Sequence, residues 1–149
     1  MPKNKKNNKF SLSSSSFERK VNNRTEKEVA DEKPLMLFSF KDFQYNSVGQ
    51  TYENWQEEKL LAYMLEKFGH ICSVNRIEAE QQKFIKVYGN FPENSAFKNP
   101  FPNSELDWAV VMRIQGQKGR VAGYIDGYIF YVVFLDAEHQ FFPSEKKNT

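Results

Sequence analysis

The feature that most constrains the fold is the C-terminal third, Asp107 to Phe142, which reads as three strands joined by two tight turns. Its last strand, Tyr128–Leu135 (YIFYVVFL), is apolar from end to end and runs straight into Asp136-Ala137-Glu138-His139. Asp126-Gly127 ahead of it is a strong two-residue hairpin signal. Gly116-Gln117-Lys118-Gly119 closes the preceding pair as a four-residue loop between Trp108–Gln115 and Arg120–Ile125.

These turns set a register. Ile125 pairs with Tyr128, Tyr124 with Ile129, Ala122 with Tyr131 and Arg120 with Val133. Across the other turn, Gln115 pairs with Arg120, Arg113 with Ala122 and Val111 with Tyr124. Opposed residues share a face and faces alternate along a strand. One face then carries Val110, Met112, Ile114, Val121, Ile125, Tyr128, Phe130, Val132 and Phe134, and packs on helices. The other carries Gln115, Arg113, Arg120, Tyr124 and Tyr131 among Val111, Ile129, Val133 and Leu135. His139 joins this second face if the strand continues in register, and a one-residue bulge moves it away.

Upstream, Leu35–Phe40 after Pro34 reads as a short strand, and Lys41–Gln50 as a loop. Thr51 is placed as a helix N-cap, with Glu53 and Glu57 near the positive end of the dipole. Trp55, Leu60, Leu61, Met64, Leu65 and Phe68 recur at helical spacing, which predicts one helix to about Phe68, stopped by Gly69. A second helix is expected over Arg76–Tyr88. Residues 89–106 carry Gly89, Pro92, Pro100 and Pro102 and read as a long ordered loop. The order of strand, two helices and a C-terminal three-strand antiparallel meander predicts a two-layer α+β domain over residues 34–149.

Residues 1–33 are rich in Lys, Asn and Ser, with few apolar residues to offset the entropy of ordering, and are expected to form a disordered basic tail. This segment holds nine Lys/Arg against five Asp/Glu, whereas residues 34–149 hold twelve against fourteen. The overall charge of +2 therefore says little about what the folded part binds. The single cysteine, Cys72, excludes an internal disulfide and a cysteine-based zinc site and favours an intracellular setting. No apolar run approaches the ~20 residues needed to span a bilayer, so a cytoplasmic protein is expected. No cluster of Asp, Glu and His has the spacing of a metal site, and no metal or other cofactor is expected.

Arginines on a sheet face suit a phosphate, whose oxygens match the guanidinium fork. A histidine beside them moves protons near neutral pH. Arg and Tyr also cover apolar neighbours on exposed faces while keeping a polar tip wet. His70 reads as a partner for a helix C-terminus and Cys72 as an inert thiol. Glu78 and Glu80 read as a solvated helix face. Phe91, Phe97 and Phe101 form either an exposed contact patch or a cover for the core.

The stretch from Arg113 through Arg120, Val121 and Tyr124 to IFYVVFLDAEHQFF resembles the C-terminal half of the RelE/ParE-like toxins of bacterial toxin–antitoxin systems, and the order of elements over residues 34–142 resembles theirs. The resemblance implies a cytoplasmic endoribonuclease that cuts mRNA, often on the ribosome, and is neutralised by a small antitoxin. His139 would be the general acid or base. Arg113 and Arg120 would stabilise the pentacovalent phosphate, and Tyr124 or Tyr131 would orient it or stack on a base. Attack by the ribose 2′-hydroxyl would leave a 2′,3′-cyclic end without a metal. The chain departs from these toxins in its length, in the acidic balance of its folded part and in the long 89–106 connection. A ParE-like toxin that inhibits a protein target without catalysis, and a plain interaction module, are the competing readings.

Overall fold

The computed structural model describes residues 33–45 and 50–143. The tail expected over residues 1–33 lies, apart from Lys33, outside the described residues. The chain from Pro34 builds β1 (Leu37–Ser39), α1 (Tyr52–Glu57), α2 (Leu61–Ile71), α3 (Arg76–Gln81), β2 (Ile85–Gly89), β3 (Asp107–Val111), β4 (Arg120–Asp126) and β5 (Ile129–Asp136). The strands form one mixed sheet in the order β1-β5-β4-β3-β2, with β1 parallel to β5 and every other pair antiparallel. The α+β class and the β3–β4–β5 meander are as expected. The expected first strand, β1, flanks the meander on one side, and β2, which was not expected as a strand, flanks it on the other.

Thr51 caps α1 in a reciprocal box: its Oγ1 accepts from the Asn54 N–H at 3.1 Å, and its own N–H donates to Asn54 Oδ1 at 2.9 Å. The helix expected to run unbroken to Phe68 stops at Glu57. Lys59 takes φ +61 and Leu60 N–H bonds Trp55 O at 2.8 Å, a left-handed helix-ending turn. This break lets Trp55 and Leu60, both fully buried, reach the sheet together. Gly69 does not end α2, which continues to the fully buried Ile71.

The helix expected over Arg76–Tyr88 is half helix and half strand. Lys83 turns left-handed at φ +62, and Ile85–Gly89 then pairs with β3, Ile85 opposite Val111. The register of the meander also differs from expectation. β3 meets β4 with Val111 opposite Val121 and Trp108 opposite Tyr124, a shift of three residues that exchanges the faces of β3. The β4–β5 turn places Gly127 at φ +60 as its first central residue, the geometry of a type II′ turn, so Asp126 rather than Ile125 closes the ladder, opposite Ile129.

A bulge then intervenes. Gly123 pairs with Val132 but Ala122 pairs with Phe134, leaving Val133 as the extra residue. The Val133 carbonyl accepts from Gln44 N–H at 2.9 Å. One face of the sheet packs Val111, Val121, Ile125, Phe130, Val132 and Leu135 on the helices. The other carries Trp108, Val110, Ala122, Tyr124, Val133 and Phe134. This second face is not open to solvent. Phe97 is buried on it, with Phe91 and Phe101 half-buried beside it and Phe141 filling the centre, so the aromatic loop is the cover of a second core. Ala96 N–H fastens that cover to Gln140 O at 2.9 Å.

Candidate functional site

The polar groups of the covered face survive only at its margins, and they separate into two places. Tyr124 and Tyr131 are directly opposed, stacked with ring centroids 4.6 Å apart at 12°. The Tyr124 hydroxyl donates to Asp42 Oδ2 at 2.5 Å, and Lys41 Nζ lies 5.2 Å from the Tyr131 ring centre. Burial, then the Asp42 hydrogen bond, pushes the Tyr124 phenol well above its ordinary value. For Asp42 burial acts upward, but hydrogen bonds from Tyr124 and Lys41 prevail and hold its carboxyl below the ordinary value. This cluster ties the residue 41–45 loop to the sheet. It lies four residues along β4 from Arg120, about 13 Å at the rise of a strand, so the structure does not bring the two tyrosines to the arginines and histidine as the sequence reading expects.

Arg120 and His139 do come together. Arg120 opens β4 opposite Asp136, the last residue of β5. Asp136 is 1% exposed, and its two oxygens accept Gln140 N–H at 2.7 Å and Phe141 N–H at 2.9 Å. Burial raises its pKa above the usual carboxylate value, against the pull of those bonds and of His139. The carboxylate folds residues 136–141 into a tight turn. His139 stands in that turn at φ +57, with Nε2 3.0 Å from Gln117 O. A carbonyl only accepts, so Nε2 carries the proton and a neutral ring leaves Nδ1 with a free lone pair. Arg120 Nη1 donates to Gly119 O at 3.0 Å. Burial lowers the guanidinium from its ordinary value; Tyr88 and Asp136 oppose this and Arg113 adds to it.

Both side chains line a cleft of about 730 Å³, with Lys86, Tyr88, Met112, Glu93, Asn94 and Phe142 among its other walls. Tyr88 and Phe142 are stacked with centroids 4.3 Å apart at 13°, and Lys86 Nζ sits 5.1 Å from the Tyr88 ring centre. Phe142 is 44% exposed. Arg113 is not in this cleft. It leaves β3 left-handed at φ +52, is exposed, and lines an adjoining depression that shares Lys86 and Met112.

Lys86, Tyr88, Asp136 and Phe142 are absent from the sequence-derived site. The helical spacing over Arg76–Tyr88 hides Lys86 and Tyr88. The alternation in Phe84-Ile85-Lys86-Val87-Tyr88 is the signal that would have placed both on a strand. Cys72 is half-buried, and burial raises its thiol pKa. His70 lies in the last turn of α2, its ring edge-on to Phe84. Glu78 closes a capping box with Asn75, and Glu80 pairs with Arg76 at 3.2 Å.

Among the described residues no helix is long and apolar enough to cross a membrane. Compared with known protein families, with curated proteins and with solved structures, the chain matches none.

Proposed function

We propose that this protein is a toxin-like endoribonuclease that cuts single-stranded RNA, mRNA above all, by its own side chains, and that a small antitoxin protein holds it in check. The observation that carries the reading is the single cleft that joins Arg120, His139 and Lys86 to the stacked Tyr88–Phe142 pair. Phosphate and base are the two halves of a nucleotide, and here cations stand beside an aromatic platform. Stacking on such platforms selects unpaired bases.

In this mechanism His139 Nδ1 takes the proton of a ribose 2′-hydroxyl. The 2′-oxygen forms a bond to phosphorus as the bond from phosphorus to the 5′-oxygen breaks. The departing oxygen takes a proton from solvent, leaving a 2′,3′-cyclic phosphate and a 5′-hydroxyl. Arg120 and Lys86 bind the non-bridging oxygens, where charge grows in the transition state. Such stabilisation is often the largest single contribution to catalysis. Asp136 acts through the turn that holds His139. The antitoxin is proposed from the resemblance to toxin families. The exposed Tyr63 and Leu65 on α2 offer it an apolar surface.

The test is inducible expression in a bacterial host of wild type beside His139→Ala and Arg120→Ala, with primer extension on cellular mRNA. Growth arrest with new 5′ ends, both lost in the variants, is expected. Arrest without cleavage, unchanged by His139→Ala, would replace this reading with a toxin that inhibits a protein target. Soluble expression without arrest would leave an interaction module.

A further inference from the structure

The cleft at Arg120 and His139 does not end at Lys86. Beyond Lys86 and Met112 a second depression of about 380 Å³ opens, whose remaining walls are Glu80, Lys83, Ile85 and Arg113. Its apolar side is Ile85 and Met112. Its charged rim sets three cations against one carboxylate, and that carboxylate, Glu80, is engaged by Arg76 Nε at 3.2 Å. Among the described residues Lys83, Lys86 and Arg113 make no ion pair. The two depressions adjoin through their shared walls Lys86 and Met112, which makes one continuous basic groove. Cations gathered this way repel one another unless an anion lies among them.

The backbone presents two of these cations, Lys83 and Arg113, at positions where glycine is the usual occupant. Lys83 ends α3 at φ +62, with its own N–H on Glu80 O at 3.1 Å and Phe84 N–H on Ala79 O at 2.9 Å. Arg113 at φ +52 follows Met112, whose N–H bonds Phe84 O at 2.8 Å. Two neighbouring turns thus converge on one depression, each carrying a long basic side chain.

We propose that this depression is a second phosphate subsite, and that the groove takes a single-stranded polynucleotide across at least two consecutive phosphodiesters. One phosphate lies at Arg120 and His139 and the next at Lys83 and Arg113. Lys86 stands between them, and a base rests on Tyr88 and Phe142. The inference rests on reading the cleft as an RNA site but not on cleavage.

The probes are fluorescent 2′-O-methyl oligoribonucleotides of two to six nucleotides, which lack the attacking hydroxyl and stay intact. Anisotropy titrations between 50 and 200 mM salt would be run on wild type and on Lys83→Gln/Arg113→Gln, with circular dichroism to verify the fold. Affinity is expected to step up when the second phosphate is added. In the double variant that step shrinks about tenfold, and the salt slope of log K falls by about 0.7 for the lost phosphate contact. An unchanged slope and affinity in a folded double variant would overturn the subsite, as would a wild type that binds none of the probes. The ordinary 2′-hydroxyl oligonucleotides separate the two claims. Binding with the expected slope but no cutting keeps the subsite and removes the nuclease. Cutting a dinucleoside monophosphate as fast as a longer strand keeps the nuclease and removes the subsite.

Discussion

Lys59, Lys83 and Arg113 allow backbone strain to be separated from side-chain function. All three are exposed and left-handed, with φ of +61, +62 and +52. The left-handed conformation costs a residue with a Cβ about 1–2 kcal/mol, and glycine gives back about 0.5–1 kcal/mol through the greater freedom of its unfolded chain. Each replacement by glycine is therefore expected to stabilise the fold by about 0.5–1 kcal/mol, and the three together by about 2 kcal/mol if the sites are independent. For a folded part of this size 1 kcal/mol corresponds to about 4 °C in Tm. Urea unfolding read by tryptophan fluorescence would measure it, since Trp55 and Trp108 are buried. RNA binding should divide the set. Lys59→Gly lies away from the groove and keeps the wild-type affinity, whereas Lys83→Gly and Arg113→Gly gain stability and lose affinity. A destabilised Arg113→Gly would show that its left-handed turn is not strained. If Lys83→Gly and Arg113→Gly bound RNA like Lys59→Gly, the second subsite would have no role in recognition.

Two further expectations test the scaffold. Gly123→Ala sets a Cβ 1.8 Å from the Tyr131 carbonyl oxygen and 2.9 Å from its carbon, a clash with backbone that no rotamer relieves. It should cost more than about 3 kcal/mol, and soluble, cooperatively unfolding protein of wild-type Tm would refute the bulge geometry. Tyr124→Phe removes a hydrogen bond to an ionised carboxylate and should cost about 1.5–3 kcal/mol near neutral pH. Because the folded pKa of Asp42 lies below its unfolded value, that stabilisation is present above the ordinary 3.8 and is lost as pH falls through the depressed folded value. The gap between variant and wild type should therefore close in acid, and a gap independent of pH would contradict the role given to Asp42.

Local signals in the sequence carried the elements, and non-local ones decided the faces. Thr51 is an N-cap that needs only its own turn, and it is found where expected, with Asn54 completing a reciprocal box that was not expected. The apolar run of β5 is a strand in any context that buries both of its faces, and both are buried here. Lys59 and Lys83 end helices without the glycine that would advertise the stop, so α1 merged with α2 and α3 with β2 in the sequence reading. Phe84, Ile85 and Tyr88 satisfy a helical repeat as well as a strand, and only pairing with β3 decides between them. Arg120 and His139 meet in one cleft although a bulge intervenes and β5 ends at Asp136, because the turn held by Asp136, not a continued strand, carries His139 there. The places of Arg113, Tyr124 and Tyr131 were not legible in the sequence, because each depends on a register slip or on a partner, such as Asp42, 82 residues away along the chain.

The bulge at Val133 links the core to the site. Continued without it, the ladder that pairs Gly123 with Val132 would set Ala122 against Val133, Val121 against Phe134 and Arg120 against Leu135. Phe134 would then turn to the helices and Leu135 to the aromatic cover, and Asp136 would slide past Arg120. With the extra residue, Phe134 stacks on Phe97 at 4.6 Å, Leu135 joins the helical core, and Asp136 stops opposite Arg120. From that position its carboxylate holds the Gln140 and Phe141 amides and so fixes the turn that points His139 into the cleft. Gly123 admits the Tyr131 carbonyl at the point where the pairing shifts. Partial loss of the bulge should thus uncouple the cleft from the fold: a variant that retains the helices but changes the β4–β5 register separates Arg120 from His139 before it loses secondary structure. Amide exchange along β5 would report that change of register directly.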